Sequence, residues 1–196
     1  QPQHFQQHDR YLETLVESRA APLRPFPWGL TRIAFDTELL SRGKVALRDC
    51  RGVLPDGTPF AVPDEADPPL PLEVGEDAKN VVVYLALPER RAGMDETDAG
   101  EDPRSLVRFT EAEREVGDSN AGNDTGTAVR TGRLRVRLAL EGTDVGAYAA
   151  IGIARIIERR ADGQIVLDDA YIPSCLDCRA STRLAGFLTE IAGLLH

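Results

Sequence analysis

Hydrophobic positions fall into helical spacing at the two ends of the chain and into strand-like spacing between them. Residues 4–20 place Phe5, Tyr11 or Leu12, Leu15 and Val16 at three- and four-residue steps among polar side chains, which predicts an amphipathic helix. The stripe is expected to pin that helix to the body of the domain. Pro22, Pro25 and Pro27 end it, because proline cannot continue a helix and restricts the residue before it. Trp28-Gly29 follows, a lone tryptophan at an element junction.

From there the pattern turns to β. Leu30–Asp36 reads as a strand, Glu38–Gly43 as a short turn closed by glycine, and Lys44–Leu54 as a second strand. Pro55-Asp56-Gly57-Thr58 is a strong turn signal, with Thr58–Val62 as the returning strand. Residues 63–71 are acidic and proline-rich and read as a loop. Val81–Leu87 is the most apolar run and is rich in β-branched residues, which predicts a buried central strand. Residues 88–104 and 117–126 read as polar loops, with an edge strand over Ser105–Val116 between them. Arg133–Leu140 alternates, with Leu134, Val136, Leu138 and Leu140 on one face and Arg133, Arg135 and Arg137 on the other. Tyr148–Arg160 is strand-like and turns at Ala161-Asp162-Gly163 into Gln164–Asp168. Ser181–His196 returns to helical spacing, with Leu184, Leu188, Ile191 and Leu195 in a stripe.

Successive strands without intervening helices predict a mainly β chain: an antiparallel β-sandwich of about eight or nine strands with an N-terminal helix and a C-terminal helix. The expected divisions are 1–29 for the helix and its proline-rich turn, 30–178 for the sandwich, and 179–196 for the start of a further helical region. A first residue of Gln1 rather than Met suggests a piece of a longer protein.

Composition narrows the function. The chain has 196 residues, 42% of them hydrophobic, enough to bury a sizeable core. The net charge of -9 opposes binding to a phosphate backbone, so no nucleic-acid partner is expected. Nothing approaches the ~20 apolar residues of a membrane helix. Three cysteines are too few and too odd in number for a disulfide framework.

Candidate chemistry is sparse. His4 and His8 share a helix face, but Phe5 stands where zinc hydrolases place a glutamate. Cys175-Leu176-Asp177-Cys178 has the spacing of a redox pair or half a zinc site, and no second such pair exists. A small metal- or thiol-dependent redox protein using Cys175 and Cys178 is therefore the alternative reading. The histidines, His4, His8 and His196, lie at the chain ends, which makes a catalytic triad hard to build. No catalytic residue, metal ligand or cofactor is expected. The row Arg133, Arg135 and Arg137 is either the outer face of a strand or a docking surface for an acidic partner.

Five blocks occur in order: Pro2-Gln3-His4-Phe5-Gln6-Gln7-His8-Asp9-Arg10-Tyr11-Leu12-Glu13; Trp28-Gly29; Gly52-Val53-Leu54-Pro55-Asp56-Gly57-Thr58-Pro59-Phe60; Val83-Tyr84-Leu85-Ala86-Leu87-Pro88; and Tyr171-Ile172-Pro173. With these blocks the chain resembles the N-terminal domain of the TssK family, baseplate subunits of the type VI secretion system. The resemblance implies a cytoplasmic homotrimer of TssK copies. Its N-terminal part would be a β-sandwich, similar to the shoulder domain of siphophage receptor-binding proteins, that attaches to the TssF–TssG wedge. It further implies that TssL and TssM are met through a C-terminal region absent here, and that no catalytic residues transfer. Phe26, Trp28 and Phe60 are then either core residues or the lining of a patch for a TssG loop.

Overall fold

The computed structural model describes residues 2–23, 25–91, 95–100, 102, 105–117 and 126–195. The tips of the two expected polar loops, 92–94, 101, 103–104 and 118–125, lie outside the described residues, as does His196.

Two antiparallel sheets carry the core. In the first, β1 (Gly29–Phe35) and β4 (Pro59–Val62) flank β3 (Leu47–Val53). In the second, the order is β10 (Arg137–Leu140), β6 (Lys79–Pro88), β11 (Tyr148–Arg159) and β12 (Ile165–Leu167). Strand β6 is central as expected: β10 and β11 pair with its two edges, and Val83, Leu85 and Leu87 are fully buried. Leu30, Val45, Cys50, Phe60 and Val62 join Val83, Leu85, Ile151 and Ile156 in one cluster, so the two sheets share a single hydrophobic core. Burial of such side chains, at ~1.5–3 kcal/mol each, is what holds the sheets together.

Twelve strands occur among the described residues, against the eight or nine expected. The difference comes from short pieces that carry no alternation of their own. The segment 44–54 splits into β2 (Lys44–Val45) and β3, and β2 pairs with β5 (Leu72–Glu73) just past the expected proline-rich loop. A two-residue β7 (Thr97–Asp98) lies in the acidic loop. The expected strand 133–140 is broken at Arg135-Val136: β9 (Gly126–Leu134) ends there and β10 begins in another sheet. Its inward face survives the break, with Leu134 and Val136 buried and Leu138 and Leu140 packed on the core.

The turn at 38–43 is the short helix α2 (Thr37–Ser41), started by Asp36, whose carboxylate accepts the amides of Glu38 and Leu39. The terminal helices are α1 (Pro2–Ala20) and α3 (Thr182–Leu194), the latter capped by the Ser181 hydroxyl, which accepts from the Leu184 amide. A third sheet projects as a ribbon: β8 (Phe109–Gly117) pairs antiparallel with β9, and β7 adds in parallel at its base.

Two glycines set how closely the first sheet meets the segment before α3. Leu30 donates to the Ser174 carbonyl, and Leu176 donates back to Leu30. A Cβ on Gly29 (φ 146°) would lie 2.9 Å from the Cys175 backbone, and one on Gly52 would lie 2.3 Å from the Gly29 carbonyl oxygen. Only hydrogen fits between these chains. Gly52→Ala is expected to destabilise the domain by ~1–3 kcal/mol or more through overpacking, read as a lower urea midpoint; an unchanged midpoint would mean that the two strands can part freely.

Candidate docking surface

The periphery of the domain is organised around a buried cation. Arg108, just before β8, has a side chain only 3% exposed. Its Nη1 donates to Asp56 Oδ2 at 2.9 Å and to the Pro88 carbonyl at 2.7 Å, while Nη2 donates to Thr58 Oγ1 at 2.7 Å. Its Nε is buried with no partner among the described residues. Desolvating a guanidinium is costly and is compensated only by such charged and polar partners. Arg108 thus ties the root of the ribbon to the end of β6 and to the turn between β3 and β4. Sequence reasoning missed it. The one available signal was a charge set inside Leu106-Val107-Arg108-Phe109.

Helix α1 lies beside this node by its polar flank. Glu13 pairs with Arg90 and Arg10 with Glu96, and the Glu17 carboxylate lies over Gly57 in the same turn. The hydrogen bond from Arg90 holds the Glu13 carboxyl below its ordinary value. The expected apolar pinning is corrected here: Phe5, Tyr11, Leu15 and Val16 are all exposed, Phe5 to 72%. Ion pairs, not apolar burial, set the helix on the domain, because its charged flank meets Arg90 and Glu96 while its apolar stripe faces away.

The α1 connection ends in an aromatic corner. Trp28 is half-buried and packs on the core. Phe26 stands edge-on to it, ring centroids 6.3 Å apart at 85°, and is 75% exposed. Its φ of 53° is left-handed, a conformation that costs an L-residue ~1–2 kcal/mol. Backbone strain that presents a large exposed ring is the kind of feature found at ligand clamps. At the other end Ile172, Phe187, Leu188 and Ile191 are exposed around α3. Phe60, by contrast, is 2% exposed, so of its two readings the core is the correct one.

The arginine row is engaged within the chain, as the outer, neighbour-facing side of its strands. Arg133 Nε donates to Asp67 at 2.7 Å and its Nη2 to the Pro63 carbonyl at 2.7 Å. Arg135 grips both Asp98 oxygens at 3.0 Å and also bonds the Asp102 carbonyl. Arg137 donates to the Tyr148 hydroxyl at 3.1 Å, stacks over its ring and bonds the Ser105 carbonyl. Outward-facing arginines fasten the neighbouring loops of the same chain, which is why they are not displayed as a free row.

The chemistry of a thiol or metal centre is weakly served. Burial pushes the Cys50 thiol up to about 12 and raises that of Cys175. A reactive first cysteine needs the opposite shift. Asp177 between the pair is held at about 2 by the hydrogen bonds from the Arg179 side chain and backbone, and it caps the 3₁₀ turn leading to α3. His4 and His8 are exposed on α1, and among the described residues no three metal-ligating side chains gather.

Comparison with known proteins places the chain. The family model described as Bacterial Type VI secretion, VC_A0110, EvfL, ImpJ, VasE matches residues 4–196. The chain is 44% identical over 195 residues to the type VI secretion system baseplate component TssK1 of Pseudomonas aeruginosa. The chain belongs to the TssK family. It aligns over its whole length but spans only 44% of that relative. A crystal structure of TssK superposes with a TM-score of 0.90 at 37% identity, covering 100% of this chain and 44% of that one. TssK in a TssK–TssF–TssG baseplate subcomplex superposes at 0.86 and 26% identity, covering 100% of this chain and 64% of that one. The β-rich fold is therefore that of TssK proteins, whose described relatives are structural baseplate components.

Arg108→Met is expected to cost ~3–5 kcal/mol, since Asp56 is left without its buried partner; chemical denaturation measures it, and a loss within ~0.5 kcal/mol would deny the node its role. For Asp177, a depressed folded-state value means that its contribution is present above the ordinary 3.8 and lost as pH falls through about 2. Carboxyl NMR should find that low midpoint, and Arg179→Gln should move it up.

Proposed function

We propose that this chain is the baseplate-facing domain of a type VI secretion TssK subunit, docking onto a TssF–TssG wedge. The observation that carries the reading is the whole-length superposition on TssK within a TssK–TssF–TssG subcomplex. A second baseplate complex superposes with a TM-score of 0.84 over 97% of the chain and supports the same assignment. In this reading the chain is a binding module that forms part of a homotrimeric, cytoplasmic subunit. The contacts to TssL and TssM lie in the part of the protein beyond this chain. The aromatic corner of Phe26 on Trp28 is the candidate contact for a loop of TssG, because it presents a large exposed ring edge-on to an anchored tryptophan. The thiol alternative has less support, since burial shifts Cys175 away from reactivity.

Purified chain is expected to capture the cognate TssF–TssG and not the cytoplasmic parts of TssL or TssM. Capture of the membrane-side proteins alone would overturn the assignment. Phe26→Ala should leave thermal stability within ~0.5 kcal/mol, as for exposed sites, yet weaken wedge capture ~10-fold or more, a loss of at least ~1.4 kcal/mol. Undiminished capture would move the contact elsewhere on the domain.

A further inference from the structure

The ribbon of β8 and β9 has an open edge that no part of the proposed wedge contact uses. From Phe109↔Leu134 to Gly117↔Gly126 the two strands pair with each other; among the described residues the further partners are β7 at Phe109 and Thr110 and a single parallel bridge from Ala66 to Leu134 at the base of β9. Beyond Thr110 the outer edge of β8 therefore continues the slot that β7 begins, with no strand in it among the described residues. A two-stranded ribbon of this kind is marginal on its own, and an unpaired strand edge is a template for one more strand.

Charge on the ribbon says what that strand would carry. The pairing is regular, so alternate residues share a face. One face of β8 carries Glu111, Glu113 and Glu115, all exposed. Their partners across the pair are Gly132, Arg130 and Ala128, a single cation against three carboxylates. The opposite face holds Ala112, Arg114 and Val116, with Thr131, Val129 and Thr127 opposite them, so the one cation of this stretch of β8 is turned away from the glutamate column. A strand added beside β8 would set its own side chains directly next to the glutamate column, where opposite charges stabilise and like charges repel.

We propose that the open edge of β8 is a strand-addition site for an extended segment of a partner protein bearing lysine or arginine at every second position, with β-branched residues between. Backbone hydrogen bonds supply affinity and the glutamate column sets register and selects charge. A second copy of this chain fits less well, because its own alternating arginines, Arg133, Arg135 and Arg137, are held by Asp67, Asp98 and Tyr148. The inference stands apart from the wedge reading and survives if that reading fails.

The test uses a short peptide alternating lysine and valine, with one alternating glutamate and valine as control. The lysine peptide is expected to shift the backbone amides of 111–117 in NMR spectra of the whole chain and to slow their exchange; the control should not. Reversing the column with Glu111→Lys, Glu113→Lys and Glu115→Lys together should weaken the lysine peptide ~10-fold and admit the glutamate peptide. These exposed substitutions leave the core intact, and circular dichroism verifies that. Binding indifferent to the reversal, shifts away from β8, no binding at all, or light scattering that shows the edge filled by a second copy would each overturn the proposal.

Discussion

One desolvated guanidinium holds the outer parts of this domain in register with its core. Arg108 belongs to no strand, yet it reaches the Pro88 carbonyl where β6 ends, Asp56 and Thr58 in the turn between β3 and β4, and by chain connectivity the root of the β8–β9 ribbon. Each hydrogen bond to a desolvated charge is costly to lose, so the three partners are constrained by one another. The same turn lies beneath Glu17 of α1, and Arg90 two residues past β6 holds Glu13. Moving the end of β6 or the turn between β3 and β4 would expose or strand the guanidinium. The rigid two-sheet core thereby dictates where the ribbon leaves the body and where α1 lies against it.

Apolar burial and ion pairing divide the work. The core is packed from both sheets and the segments that join them: among the described residues no side chain of α1 or α3 belongs to its cluster, and Leu54, Leu85, Leu87, Ile151 and Ile156 are fully buried there. Helix α1 is set by exposed ion pairs, which contribute only ~0–1 kcal/mol each and are weakened by salt. A helix placed by charge while Phe5 and Val16 face water is arranged for display, not for core stability. The perturbed acids tell the same story. Glu13, Asp98 and Asp177 are each lowered by a hydrogen bond from a neighbouring side chain, arginine in the cases of Glu13 and Asp177, in positions that fasten loops.

Legibility in the sequence followed the range of the physics involved. Local signals were strong: Val81–Leu87 read as a central strand because both of its faces are buried, and Pro55-Asp56-Gly57-Thr58 read as a turn because its dihedral demands are local. The two terminal helices were read from spacing alone, but spacing gives a face and not its neighbour. That is why the stripe of α1 was expected to pack inward and does not. The alternation over Arg133–Leu140 correctly gave the buried face, yet could not show that the chain changes sheets at Arg135-Val136. Arg108 was illegible for a related reason: its partners lie 20, 50 and 52 residues away, and no local pattern marks a buried ion pair.

The strain at Phe26 sharpens the reading of the aromatic corner. A buried ring in a left-handed backbone could be held by packing, but Phe26 is mostly exposed, so packing does not require it there. Its aromatic neighbour among the described residues is Trp28, whose own body is anchored on the core. The edge-on contact is worth ~0.5–1.5 kcal/mol, comparable to the cost of the backbone conformation. The pose is therefore close to neutral within the free domain. A relaxed backbone that turned the ring away would stand nearly level with it, so a partner that covers the ring would select the displayed pose at little cost. In the proposed docking, an anchored tryptophan beneath a displayed phenylalanine, at the point where α1 joins the sandwich, is the part of this surface that the partner would cover.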